Sequence, residues 1–366
     1  MTDNMTELHP QHEAVRSEIA EAKLSDPEHH DLKQLPPPHI HWLKRIGLGL
    51  IGLVLLVVIV FAIGYLRFSW QKGILLQPAK ILSYPVAIVG GTWLSYYDYQ
   101  VDVPNVKQYI ERNSPPDASV TRQMSVDVYT RKIILNKMIG EEIINKIAKA
   151  EGVSVSESDI QASYDSYVQQ SGTSAAEIET YIKTLYNWSV AEFKQKLVKP
   201  QAIQEALAKA YFAEVKKQVE QLRNSIATDP KTFGDVAKKE SNDPSASNGG
   251  LLEAMNTAAL KTNYADSITA IETLKVGEIS AVLETSRGYE IVYLEKRVAA
   301  AKKADGEMFT LRRLVKTPGF NTWLQDQVNA EIKKNRVILF EPRFRWMADC
   351  GILTKTEQDC TTTSAN

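Results

Sequence analysis

The chain has 366 residues and a near-even charge balance, 43 Lys and Arg against 44 Asp and Glu, net −1. That balance carries no nucleic-acid signal, so nucleic acid is excluded as an expected partner. The length leaves room for two or three modules with a substantial core.

Residues 1–45 are polar, acidic and rich in histidine, and end in Pro36-Pro37-Pro38. With too little apolar surface to fold alone, they read as a disordered, solvated tail. Residues 46–66, IGLGLIGLVLLVVIVFAIGYL, are 21 in a row without a charge. At ~1.5 Å per residue that length spans the ~30 Å hydrocarbon core, so one transmembrane helix is expected. Lys44-Arg45 precede it, and Tyr65 and Trp70 are placed as interface anchors. The 45 residues ahead of it, and the absence of a small-residue cleavage site, favour an uncleaved anchor over a signal peptide. Basic residues on the two sides are balanced, so charge alone does not orient it. A linker, 67–84, follows.

In YPVAIVGGTWLSYYDY, Val86 to Val89 reads as a strand, Gly90-Gly91 as a tight turn and Trp93 onward as a return strand or helix entry. Leu135, Met138, Ile139, Ile143, Ile144 and Ile147 then recur at helical spacing, and Gly152 suits a left-handed cap. Ser156-x-x-Asp159, Ser174-x-x-Glu177 and Ser189-x-x-Glu192 each fit a capping box, so three helix starts follow in quick succession. Helical pattern continues from Ala191 to about Ala227, with Pro200 marking a break or kink.

The segments VAIVGGTWLSYYDY, IGEEIINKIAKAEGVSVSESDI and TSAAEIETYIKTLYNWSVAEFKQKL, in that order, resemble the N-terminal chaperone domain of the SurA and PrsA foldases. The likeness covers roughly 85–215. Further on, FGDVAKKESNDPSASNGG and LKVGEISAVLETSRGYEIVYLEK resemble the parvulin (rotamase, PpiC-type) family of peptidyl-prolyl isomerases. Parvulins carry a histidine after the closing Gly-aromatic pair, where this chain has Glu290. The loss is general: all six histidines (His9, His12, His29, His30, His39 and His41) precede Trp42. The opening parvulin strand is also missing before Phe233. MFTLRRLVKT, residues 308–317, is a candidate replacement, which makes the domain look circularly permuted.

The resemblance implies an α+β fold: a helical chaperone domain (85–215) and a parvulin-like antiparallel-sheet domain with flanking helices (216–317, last strand 308–317). A C-terminal helix, 318–340, would pack back on the chaperone domain, leaving 341–366 as a tail. By motif position, Leu260 and Tyr264 hold the proline ring and Thr285 lies beside the closing turn. Asp243, with a one-residue ambiguity against Asn242, sits beside the amide, and Glu290 and Arg312 replace the two ring-facing histidines. Glu290 and Arg312 are therefore expected to form an ion pair between neighbouring strands. The missing third glycine, Leu251-Leu252-Glu253 after Gly249-Gly250, puts the usual loop conformation in doubt.

Only the resemblance places the C-terminal bulk outside the cytoplasm and the N-terminus inside. There Cys350 and Cys360 have two alternatives, a disulfide across nine residues or two free thiols. No cofactor and no metal is expected, since no phosphate loop, ligand cluster or nucleophile triad stands in the large domain. The implied partners are unfolded or proline-containing exported polypeptides and the membrane, with the oligomeric state left open. Two readings remain: a membrane-anchored foldase that isomerises X-Pro bonds, and an inactive parvulin-fold chaperone or envelope assembly factor.

Overall fold

The computed structural model describes residues 55–65, 73–265, 267–299 and 306–359. The expected tail 1–45 and the first part of the apolar segment lie outside the described residues. Its remainder, 55–65, is helical, and no helix among the described residues is long and apolar enough to cross a membrane. The last turn of this helix is built into the domain that follows. Tyr65 is buried against Tyr84 and Tyr96 with ring centroids 5.2 and 5.1 Å away, and its hydroxyl donates to Leu75 O at 2.7 Å. Leu76 and Ala79 are buried in the same cluster, so the described part of 67–84 is a packed element, not a free linker.

Strands β1 (Pro85–Val89) and β2 (Thr92–Ser95) form a hairpin whose turn, Gly90-Gly91, has φ of 54° and 88°. Both values lie in the region that only glycine occupies without strain. Ser95 caps α1 (Tyr96–Asn113), α2 (Ala118–Gln123) is short, and α3 (Val126–Ala150) buries Leu135, Ile139, Ile143 and Ile147 along one stripe. All three capping boxes form. Two open α4 (Glu157–Ser171) and α5 (Ala175–Tyr186), and the third opens a single turn, Val190–Phe193. One π-turn, Lys194–Val198, then leads into α6 (Lys199–Thr228). Pro200 falls in the first turn of α6, where an absent N–H costs little.

Helix α6 carries the chain into a second layer. After α7 (Phe233–Glu240) come β3 (Met255–Asn256), α8 (Thr257–Asn263), α9 (Ile268–Glu272), β4 (Leu283–Thr285), β5 (Gly288–Ala299) and β6 (Glu307–Lys316). They form one antiparallel sheet in the order β3-β6-β5-β4. The strand latest in sequence is thus interior, paired with β5 along its whole length. Side chains alternate between faces. One face, with Val292, Leu294, Phe309 and Leu311, packs on Leu260 and Tyr264 of the α8 region and Ile271 of α9. The other, with Ile291 and Leu314, packs on Val219 and Ile226 of α6 and Phe233 and Ala237 of α7.

The chain then returns. Phe320, Trp323, Leu324, Val328 and Ile332 of α10 (Phe320–Lys334) pack against the α1–α3 core, and β7 (Val337–Leu339) adds to β1 as a third strand. Of residues 341–366, expected as a tail, the described part, 341–359, is packed on this core. Strands β8 (Phe344–Met347) and β9 (Gly351–Thr354) form a hairpin that buries Phe344 and Ile352 in the same core. Ahead of it, the buried Glu341 carboxylate accepts from Arg343 at 2.7 and 3.0 Å and from Tyr99 Oη at 3.2 Å. The apolar content of Phe344, Trp346 and Ile352 drives this docking, a signal too short to show as a periodic element. Cys350, in the hairpin turn, is disulfide-bonded, and Cys360 lies outside the described residues.

Candidate functional site

Register decides which charges meet. Glu290 is opposite Val315, and Tyr293 is opposite Arg312. Arg312 therefore lies three register positions from Glu290, an odd number, which puts the two on opposite faces of the sheet. The expected Glu290–Arg312 ion pair is not formed. Arg312 instead pairs with Glu295 at 2.9 Å and donates to Gly249 O at 3.1 Å. Its neighbour Arg313, opposite Val292, shares the Glu290 face. A one-residue shift in reading LRRLVK separates the two assignments.

On that face a chain of charged groups runs from the α7 loop to the β4–β5 turn. Asp243 caps the turn after α7, accepting from Ser245 N at 2.9 Å, and pairs with Arg313 Nη2 at 2.7 Å. Asn242, the other reading of that motif position, braces the edge of β6, donating its N–H to Val315 O at 2.7 Å. Burial alone would raise the Asp243 carboxyl, yet the hydrogen bonds from Ser245 and the Arg313 guanidinium hold it below the usual carboxylate range. Tyr264 follows, 2% exposed, with burial pushing its phenol above the ordinary value. Its hydroxyl lies beside the Arg313 guanidinium without completing a hydrogen bond of ordinary geometry. The Arg287 guanidinium sits 5.3 Å from the centre of the Tyr264 ring and binds the wholly buried Glu290 through Nε. Thr285 Oγ1 reaches Glu290 Oε1 and Gly288 O, both at 3.2 Å, and accepts from Arg287 N at 3.3 Å. It braces the turn.

Of this group, Tyr264, Arg287 and Arg313 line a cleft of about 610 Å³ between β3, α8 and β6, together with Leu252, Met255, Ala259 and Met308 among others. Of the residues singled out by motif, Asp243, Tyr264, Thr285 and Glu290 belong to one connected group. Arg312 faces away. Leu260 is wholly buried in the core beneath and is not part of the lining, so the apolar surface offered to a ligand comes from Met255, Met308, Leu252 and Ala259. Motif position missed both arginines and both methionines. The signal for Arg313 was strand alternation, and for Arg287 the three-residue spacing to Glu290 across a tight turn.

The double glycine has a steric cause. Gly249 and Gly250 have φ of 63° and 74°, and a Cβ on Gly250 would meet Arg313 O at 2.3 Å. That close approach lets Gly250 O accept from Arg313 N at 2.8 Å and Leu252 N donate to Leu311 O at 2.9 Å. Leu251 takes part in a bridge to Arg312, so the segment lacking the third glycine runs as an added edge along β6. Among the described residues no His, Cys, Asp and Glu group could hold a metal ion.

A second cleft, about 770 Å³, opens in the helical half between α1, α4, α5 and the start of α6. Its aromatic lining includes Tyr109, Tyr167, Tyr181, Tyr186 and Phe193, with Tyr109 and Tyr186 stacked at 4.9 Å. Tyr167 and Tyr181 remain 42% and 56% exposed, large apolar faces left open to solvent.

Residues 40–205 match the family model of the SurA-like N-terminal domain, and 197–296 that of the PPIC-type PPIase domain. The two matches together run over 40–296, a SurA-like N-terminal region followed by a PPIC-type PPIase region. The PPIC-type match ends before β6, the interior strand of the sheet. Foldase protein PrsA of Staphylococcus aureus strain Newman is 34% identical over 84 residues, 23% of this chain and 25% of that protein; its counterpart in strain USA300 gives the same figures. The chain thus spans a quarter of the length of the curated relatives it matches. PrsA of Lactococcus lactis aligns over 70% of this chain and 95% of its own at 14% identity, with a TM-score of 0.25. A SurA-like chaperone structure from Campylobacter jejuni, described for PEB4 and Cj1289, aligns over 70% and 99% at 15% identity, with a TM-score of 0.22.

Proposed function

We propose that this SurA/PrsA-like protein is a membrane-anchored, extracytoplasmic foldase that holds unfolded exported chains and isomerises their X-Pro bonds in the cleft over Tyr264. In this reading residues 46–66 anchor the chain with its N-terminus in the cytoplasm, and the PPIase domain is permuted, with β6 as its displaced strand. The X-Pro barrier of ~20 kcal/mol arises from amide resonance, so lowering it needs neither nucleophile nor metal. It needs an apolar seat for the ring and donors that favour the twisted amide over both planar forms. Met255, Met308 and the Tyr264 ring supply the seat.

The observation that carries this reading is the set of unused polar atoms on the floor. Tyr264 Oη and Arg313 Nε, on two residues that line the cleft, are buried without a hydrogen-bond partner. A buried donor left unsatisfied costs roughly 1–3 kcal/mol, so such a cluster is expected where a ligand completes it. Tyr264→Phe tests this. It removes only the hydroxyl, which a core role predicts to be neutral or stabilising. The site role predicts a fall in isomerase kcat/KM of about tenfold with thermal stability kept, read on X-Pro peptides with the full chain. Unchanged kcat/KM would remove Tyr264 from the mechanism.

A second reading keeps the fold and drops catalysis. The open aromatic cleft of the helical half favours it, since exposed rings such as Tyr167 and Tyr181 suit transient holding of apolar segments. Binding of unfolded chains without turnover of any proline peptide would select it.

A further inference from the structure

The end of the apolar segment is built into the fold. Tyr65 is buried and Phe61 packs on the same core. Ala62 and Tyr65 wall a small apolar pocket of about 150 Å³ together with Tyr84, Pro85, Tyr96 and Phe340. That engagement uses up length. With 61–65 held by the domain, the 15 residues 46–60 remain to cross the membrane. At ~1.5 Å per residue they cover about 22 Å, short of the ~30 Å hydrocarbon core. The deficit closes when the part of the fold around Phe61 and Tyr65 itself lies at the membrane surface.

The surface there suits that depth. Tyr65 Oη donates to Leu75 O at 2.7 Å, which ties 73–82 to the end of the apolar segment. Within 73–82, Leu76 and Ala79 are buried in the core, while Leu75, Ile81 and Leu82 are open to solvent. Single exposed apolar side chains are ordinary. Three within eight residues form a patch, and Ile81, 81% exposed, is the most exposed large apolar side chain among the described residues. Charge agrees. Residues 46–97 contain Arg67, Lys72 and Lys80 and none of the chain's 44 Asp and Glu. Lys80 is exposed, with Nζ 5.4 Å from the centre of the Tyr97 ring. Basic side chains beside apolar ones, with no carboxylate among them, match lipid phosphates above acyl chains.

We propose that Leu75, Ile81 and Leu82 dip into the headgroup layer of the membrane, with Lys80 among the phosphates. The fold is then fixed against the bilayer instead of standing off it on a free tether. This rests on the reading of 46–66 as a membrane anchor. A second copy or a client chain could cover the same apolar side chains, but neither would supply the missing length.

The test uses the full chain reconstituted in vesicles of phosphatidylcholine with about 30% phosphatidylglycerol. Ile81→Cys and Val276→Cys, both exposed sites, each carry an environment-sensitive fluorophore. The unaltered chain, in which Cys350 is disulfide-bonded, is the labelling blank. Lipids bearing a nitroxide near the headgroup should quench the probe at 81 by at least about half, for side chains buried ~5–10 Å into the interface. Aqueous acrylamide should quench it at least about threefold less than the probe at 276. Equal acrylamide quenching at the two sites overturns the inference. So does protection at 81 without quenching by the lipids, which would assign the patch to a second copy or another protein. Alkaline carbonate separates the two readings. A chain retained in the vesicles with a water-exposed probe at 81 overturns the inference alone, whereas a chain extracted by carbonate removes the anchor and the inference with it.

Discussion

Replacing Arg313 by Met isolates the pair that ties the α7 loop to β6. The change keeps most of the volume and leaves Asp243, whose side chain is 5% exposed, without its counter-charge. Removing one partner of a buried pair costs about 3–5 kcal/mol, because the remaining charge stays desolvated. Asp243 keeps its hydrogen bonds from Ser245, so the lower end, about 3 kcal/mol, is expected. Native-state hydrogen exchange read on peptides from β5 and β6 suits a multi-domain chain better than a global melt. At 1.36 kcal/mol per decade, exchange there should speed up by about two orders of magnitude. Asp243→Asn combined with Arg313→Met should recover at least half of that loss, since no buried charge is then left alone. The sign with pH follows. Asp243 is held below its unfolded value of about 3.9, so its contribution is full above that value and is lost as pH falls through the folded one. A single-mutant effect under tenfold, or strict additivity of the two changes, would refute the reasoning.

Glu341→Ala should release the C-terminal hairpin by leaving Arg343 and Tyr99 without their buried acceptor. Exchange in 344–354 is expected to rise at least tenfold while β5 and β6 are unaffected, and equal change in both regions would refute the local assignment. Isomerase activity should be flat between about pH 6 and 9. The cleft has no imidazole, its guanidiniums stay charged, and burial keeps the Tyr264 phenol neutral beyond that range. A bell-shaped rate profile centred near about pH 6.5 would contradict this.

Elements that satisfy their own local rules were legible in the sequence. The capping boxes at Ser156, Ser174 and Ser189 and the stripe from Leu135 to Ile147 depend on residues three or four apart, and each forms as read. What sequence could not give was set by register. Whether Arg312 or Arg313 faces Glu290 depends on the pairing of β5 with β6, and a one-residue shift moves every side chain to the other face. Leu260 failed for a related reason: an apolar residue on a short helix suits a ligand cup or a core equally well, and only the packing around α8 distinguishes them. The C-terminal hairpin was missed because its strands are four residues each, and the contacts that hold it come from α3 and Tyr99 far up the chain.

Losing imidazole need not remove the chemistry, because twisting an X-Pro amide transfers no proton to or from the protein. Imidazole gives a site one donor or two according to pH, whereas a guanidinium gives a fixed fork whose charge does not change. Fixing that fork needs counter-charges placed where substrate cannot reach them. The sheet supplies this: Glu290 lies beneath the β4–β5 turn and Asp243 beneath the α7 loop, each behind the arginine it orients. Gly250 permits the close backbone approach that sets Arg313 on β6. The residues that look most like replacements for histidine therefore do not meet each other. Each meets an oppositely charged partner of its own, and the adjacent Arg313 takes the place at the cleft that motif position had given to Arg312.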